Sequence, residues 1–142
     1  MSTEMSLTDN KTFRLFSLFM PRRKEISSLV DEQVYDLRVY PEGYYQSFSP
    51  ANTFTKWAAV EVSETDSIPE DMKTFSLPTG EYAIFHLKGS IKDNSPFQYI
   101  FSQWLPNSGY QLDDRPHFDM MSTLQKRDSS EFEQKIFIPI KK

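Results

Sequence analysis

Residues 101–121 read FSQWLPNSGYQLDDRPHFDMM: the end of an aromatic helical stripe, a proline, a turn-rich linker and a short apolar strand. Upstream, Phe97, Ile100, Phe101 and Trp104 recur at helical spacing, which predicts a helix capped by Asn94 or Ser95, with Pro96 in its first turn and Pro106 as its stop. Downstream, His117–Ser122 predicts a strand whose alternation sets His117, Asp119 and Met121 on one face and Phe118 and Met120 on the other. A lone carboxylate among apolar residues is costly unless a cation, a donor or a proton accompanies it. Asp119 is therefore the first candidate for chemistry. Its bland alternative is a strand-end acid in solvent or paired with Arg115 or Lys126.

Elsewhere the periodicity switches between 3.6 and 2. Phe13, Phe16, Phe19 and Met20 predict a first helix from Thr12, which Asp9 or Asn10 could cap. Pro21 should kink it, with Ile26, Leu29 and Val30 resuming the pattern. Val34–Tyr40 predicts a strand with Tyr35, Leu37 and Val39 on one face. Phe54–Val62 predicts another, with Trp57, Ala59 and Glu61 opposite Ala58, Val60 and Val62. The loop between them carries Tyr44, Tyr45 and Phe48, rings suited to a lid. Met72–Leu77 and Glu81–Leu87 flank Pro78–Gly80 and predict a hairpin. Phe132–Ile140 predicts the last strand. Residues 1–11 are polar and expected to fray.

Each half of the chain thus holds a helix followed by two strands, an order that suggests a duplicated βαββ unit. The expected class is α+β: duplicated halves with antiparallel sheet and two main helices around a central cavity, the first strand short or missing. One domain over residues 1–142 is expected from the length.

Composition narrows the functions. Hydrophobic residues make up 38% and aromatic ones 15%, with twelve Phe and seven Tyr, more rings than a small core needs. A net charge of −4 and a pI near 5.2 argue against a nucleic-acid surface. The absence of cysteine excludes disulfides and thiol chemistry. His86 and His117 lack ligand spacing, no glycine-rich phosphate loop appears, and no nucleophile–base set can be assembled, so no cofactor or metal is expected. With no long apolar run, the expected setting is the cytoplasm, without membrane contact.

Six segments, FMPRRKEI (19–26), WAAVEV (57–62), LPTGEYAIFHLKG (77–89), WLPNSGY (104–110), RPHFDMM (115–121) and KIFIPI (135–140), occur in an order that resembles the GyrI-like small-molecule-binding domain family. That family includes gyrase-inhibitory proteins and effector-binding domains of AraC- and MerR-type regulators. The resemblance implies two halves meeting around an aromatic, acid-bearing cavity. Many members carry glutamate where this chain has Asp119, and the shorter side chain draws the carboxylate back by about 1.5 Å.

The candidate ligand contacts are Asp119, Glu61, Trp57, Tyr45, Phe85, Trp104, Tyr110 and Phe118. Asp119 and Glu61 are also the candidate acid–base groups. Trp57 and Glu61 on one face, with small Ala59 between, could accept a flat or cationic ligand. Trp104 falls on the helical stripe, where core packing is the competing reading. The functions implied are binding, sensing or sequestering of a hydrophobic or cationic small molecule, or action as an effector domain through a regulator partner. Hydrolysis of strained electrophilic molecules and modulation of gyrase are the alternatives. A homodimer that completes the first sheet edge is a further expectation.

Overall fold

The computed structural model describes residues 1–123 and 126–142. Its sheet is antiparallel throughout, in the order β1-β3-β2-β6-β7-β4. The strands are β1 (Ser2–Met5), β2 (Val34–Val39), β3 (Phe54–Ala59), β4 (Tyr82–Lys88), β6 (His117–Met121) and β7 (Glu133–Lys141), with a two-residue β5 (Gln111–Leu112) pairing with β7. In each half the leading strand lies at an edge, the third strand pairs with it, and the second lies innermost. β2 and β6 meet at the seam, with Asp36 opposite Asp119 and Leu37 opposite Phe118. This mirrored order is the duplication that the element sequence predicts.

Both helices cover one face. In α1 (Thr12–Phe19), Leu15, Phe16 and Phe19 are buried against Val34, Ala58 and Met121. Burying a side chain such as Phe19 stabilises the fold by about 1.5–3 kcal/mol. Asn10 accepts the Thr12 N–H at 3.0 Å through Oδ1, a turn ahead of the helix; the N-cap position itself is Lys11, with no side-chain cap, in place of the expected Asp9 or Asn10. The second helix runs through α2 (Ser95–Tyr99), a π turn (Ile100–Trp104) and α3 (Leu105–Asn107). Its stripe packs on Ile136, Ile138, Ile140 and Phe85.

Four local expectations are corrected. The first helix does not resume after Pro21: a 3-10 turn, Met20–Glu25, holds Arg22, Arg23 and Lys24 in its last turn, and Ile26 is already extended at φ −96° and ψ 113°. Pro106 lies inside the second helix rather than beyond it, because the wide π turn precedes it and a proline early in α3 loses no needed bond. Residues 72–77 form no strand; Met72 packs into the core and Lys73–Leu77 line a cleft instead of pairing with β4. The first residues do not fray. Met5 is buried with Tyr44 and Phe54, and β1, although short, pairs with β3 from Ser2 to Met5.

A two-faced sheet and its aromatic cleft

Alternation along the four inner strands gives the sheet two faces of different chemistry. Opposite the helices, Tyr35 and Leu37 of β2, Trp57 and Ala59 of β3, Phe118 and Met120 of β6 and Phe137 of β7 point the same way. They floor a cleft of about 640 Å³ that straddles the seam between the halves. Residues 60–77 supply the far wall. Phe75 stands 5.3 Å from Trp57, and Phe118 and Phe137 stack at 4.3 Å with their planes 12° apart. Six rings therefore line the space: Phe19 from α1, and Tyr35, Trp57, Phe75, Phe118 and Phe137.

Among the described lining residues Glu61 is the one carboxylate. Its carbonyl accepts the Val30 N–H at 3.1 Å, which ties the chain just past β3 to the segment after the 3-10 turn. Burial, with the Glu61 and Asp31 carboxylates adding to it, pushes the Tyr35 phenol up to about 12, so it stays a neutral donor. Lys73 lines the cleft but is exposed. Met1 also lines it; its ammonium is turned onto the Ala58 carbonyl at 2.9 Å, and burial lowers its pKa.

The helix-covered face holds the second acid. Asp119 is 6% exposed. Arg38 grips it with two donors, Nη2 to Oδ1 at 2.9 Å and Nη1 to Oδ2 at 3.2 Å. Arg38 also reaches Asp36 at 3.3 Å, and Lys56 joins Asp36 at 3.2 Å and the Thr12 hydroxyl at 2.9 Å. Two acids and two bases thus form a closed buried network. Burial pushes the Asp119 carboxyl above the usual aspartate range, opposed by the Arg38 guanidinium. Over this network lie Tyr40, Tyr44 and Tyr45, with His117 5.0 Å from Tyr40 and 5.9 Å from Tyr45.

The cleft therefore brings together three of the candidates: Trp57, Glu61 and Phe118. Asp119 and Tyr45 lie with the ion network on the other face, and the partner of Asp119 is Arg38 rather than Arg115 or Lys126. Phe85 and Trp104 meet edge to face at 5.0 Å in the core under the second helix, with Tyr110 packed against that cluster. Sequence reasoning missed Tyr35, Phe75 and Phe137. Alternation with Leu37 carries the signal for Tyr35, and alternation with Ile136 and Ile138 carries it for Phe137. Nothing periodic marks Phe75.

The model of the Cass2 family, described as integron-associated effector binding protein, matches residues 8–140. SAV2435, solved bound to tetraphenylphosphonium, superposes with a TM-score of 0.68 at 10% identity, covering 99% of this chain and 86% of that one. A candidate bacterial transcription regulation protein from Staphylococcus aureus MU50 superposes at 0.61 and 10% identity, covering 100% and 90%. At that identity the likeness is one of fold. No protein of curated function matches this sequence. The family match spans all but the first seven and last two residues, and the GyrI-like resemblance of the sequence agrees with it: the chain belongs to the Cass2 family of integron-associated effector binding proteins.

Proposed function

We propose that this effector-binding protein takes up a hydrophobic, cationic aromatic small molecule in the cleft, as a sensing or sequestering module. The observation that carries this reading is the lining: six rings around about 640 Å³ with one carboxylate, Glu61, among the described residues. Volumes of about 300–1,000 Å³ suit drug-sized ligands. Ring faces attract a cation through their quadrupoles, and a carboxylate at the rim compensates its charge. That SAV2435, which shares the fold, holds tetraphenylphosphonium makes this lipophilic cation the natural probe.

The chain has two tryptophans, so a Trp104→Phe background leaves Trp57 as the lone indole. Titrating tetraphenylphosphonium should then quench Trp57 saturably. Glu61→Gln should weaken that cation by about tenfold, the value of one charge-assisted contact, while leaving neutral triphenylphosphine oxide unchanged. Unsaturable quenching, or equal loss for the cation and the neutral compound, refutes the assignment of Glu61 and the cationic ligand class.

A further inference from the structure

A second hollow, of about 210 Å³, lies between the 3-10 turn, the start of β2 and the end of β6. Met20, Val34 and Met121 floor it, and Arg23, Lys126 and Arg127 line it. No described carboxylate lines it, and none of the three cations makes an ion pair among the described residues. Arg23 turns Nε onto the Met20 carbonyl at 3.3 Å, which leaves most of its guanidinium donors to other partners. The Arg127 guanidinium lies 4.4 Å over the Phe16 ring. Burial lowers its pKa, and the acid that opposes this, Asp36, is already engaged by Arg38 and Lys56.

Three positive charges around one small hollow, in a chain whose net charge is −4, are self-repelling. Partial burial of a guanidinium without a counter-ion adds a desolvation cost. A bound anion would relieve both. We propose that this hollow is a binding site for a compact tetrahedral oxyanion, a phosphate group held by Arg23, Lys126 and Arg127. The volume falls below the range of about 300–1,000 Å³ typical of drug-sized ligands, which favours a single oxyanion group over a nucleoside or an extended acid. The arginine fork matches phosphate geometry, and three cations reward a dianion over chloride. The site is separate from the cleft and does not depend on its ligand.

The test is thermal unfolding of the full chain in inorganic phosphate against sodium chloride of equal ionic strength, with ³¹P line broadening as a direct readout. Phosphate should raise the melting temperature beyond chloride. An Arg23→Gln/Lys126→Gln double variant keeps Arg127 on Phe16, and its phosphate affinity should fall at least about tenfold. Glycerol phosphate distinguishes the sources: an equal shift places the phosphate on a larger metabolite, and a shift with inorganic phosphate alone makes it the free ion. Equal shifts in phosphate and chloride, or a double variant that keeps its full phosphate response, overturn the proposal and leave Arg127 as a brace on Phe16.

Discussion

His117 is 3% exposed on β6, within reach of three rings: Tyr40 edge-on at 5.0 Å, Tyr45 at 5.9 Å and Phe101 stacked at 6.5 Å. Burial, and then the nearby Arg38 charge, lower its pKa to about 3. Because that lies below the unfolded value, the neutral imidazole contributes stability in full above about pH 6.5. The contribution is lost as pH falls toward 3. By pH 5 the loss is about 2 kcal/mol. Asp119 acts in the opposite sense, since an acid with a raised pKa is favoured by protonation. The comparison that isolates His117 is therefore between variants: in His117→Phe the stability curve between pH 7 and pH 5 should flatten by about this amount. An unchanged acid limb in that variant would assign the loss to other groups. Asp119 shows how far a sequence can be read at this scale. That it needed a companion was legible from Phe118 and Met120 beside it. That the companion is Arg38, 81 positions away, required the pairing of β2 with β6.

At the scale of elements, period-2 patterning located β2, β3, β4, β6 and β7 to within a few residues, because each buries one or both faces and so must alternate. It misread 72–77, whose apolar residues wall a cleft rather than a sheet, and it could not choose which face the helices cover. Where β4 meets the end of β7, one side chain joins the two. Arg115 lies between β5 and β6. Its Nε holds Asp113 at 2.6 Å, its Nη2 reaches the carbonyls of Glu81 and Ile140, and its guanidinium lies 4.6 Å from the Tyr82 ring centroid. Tyr82 in turn donates to the Pro116 carbonyl at 3.1 Å. Gly80, just before β4, leaves room for this clamp: a Cβ there would lie 2.3 Å from the Arg115 Cζ. Gly80→Ala should therefore push Arg115 off its partners and cost about 1–3 kcal/mol, the usual range for overpacking. In an Arg115→Ala background the same change should cost less, keeping only the cost of a side chain at φ +159°, and the difference is a coupling that a denaturant double-mutant cycle measures. Additive losses would place the strain of Gly80→Ala elsewhere than on Arg115.

Across the whole molecule, the sheet separates two chemistries that the sequence places side by side. The GyrI-like resemblance implied one cavity containing both rings and acid, and it set Asp119 and Glu61 together as ligand contacts. In the structure consecutive residues of one strand diverge: Phe118 faces the open cleft, and Asp119 faces the ion network beneath the helices. Arg38 and Lys56 already neutralise Asp119 and Asp36. A ligand in the cleft need not disturb that network. Tetraphenylphosphonium at a hundred times its dissociation constant should stabilise the native protein by about 2.7 kcal/mol, seen as a rise in melting temperature. Asp119→Asn deprives Arg38 of the partner it holds with two donors and leaves it Asp36, which Lys56 shares, so its own melting temperature should drop, by an amount equivalent to about 3 kcal/mol. Its ligand-induced rise should persist. Trp57→Ala removes a half-buried ring of the cleft wall and should abolish the rise with much less loss of stability. The reverse pattern, a folded Asp119→Asn that no longer responds and a Trp57→Ala that still does, would move the ligand to the helix-covered face, where Arg38 would have to swing out to admit a cation.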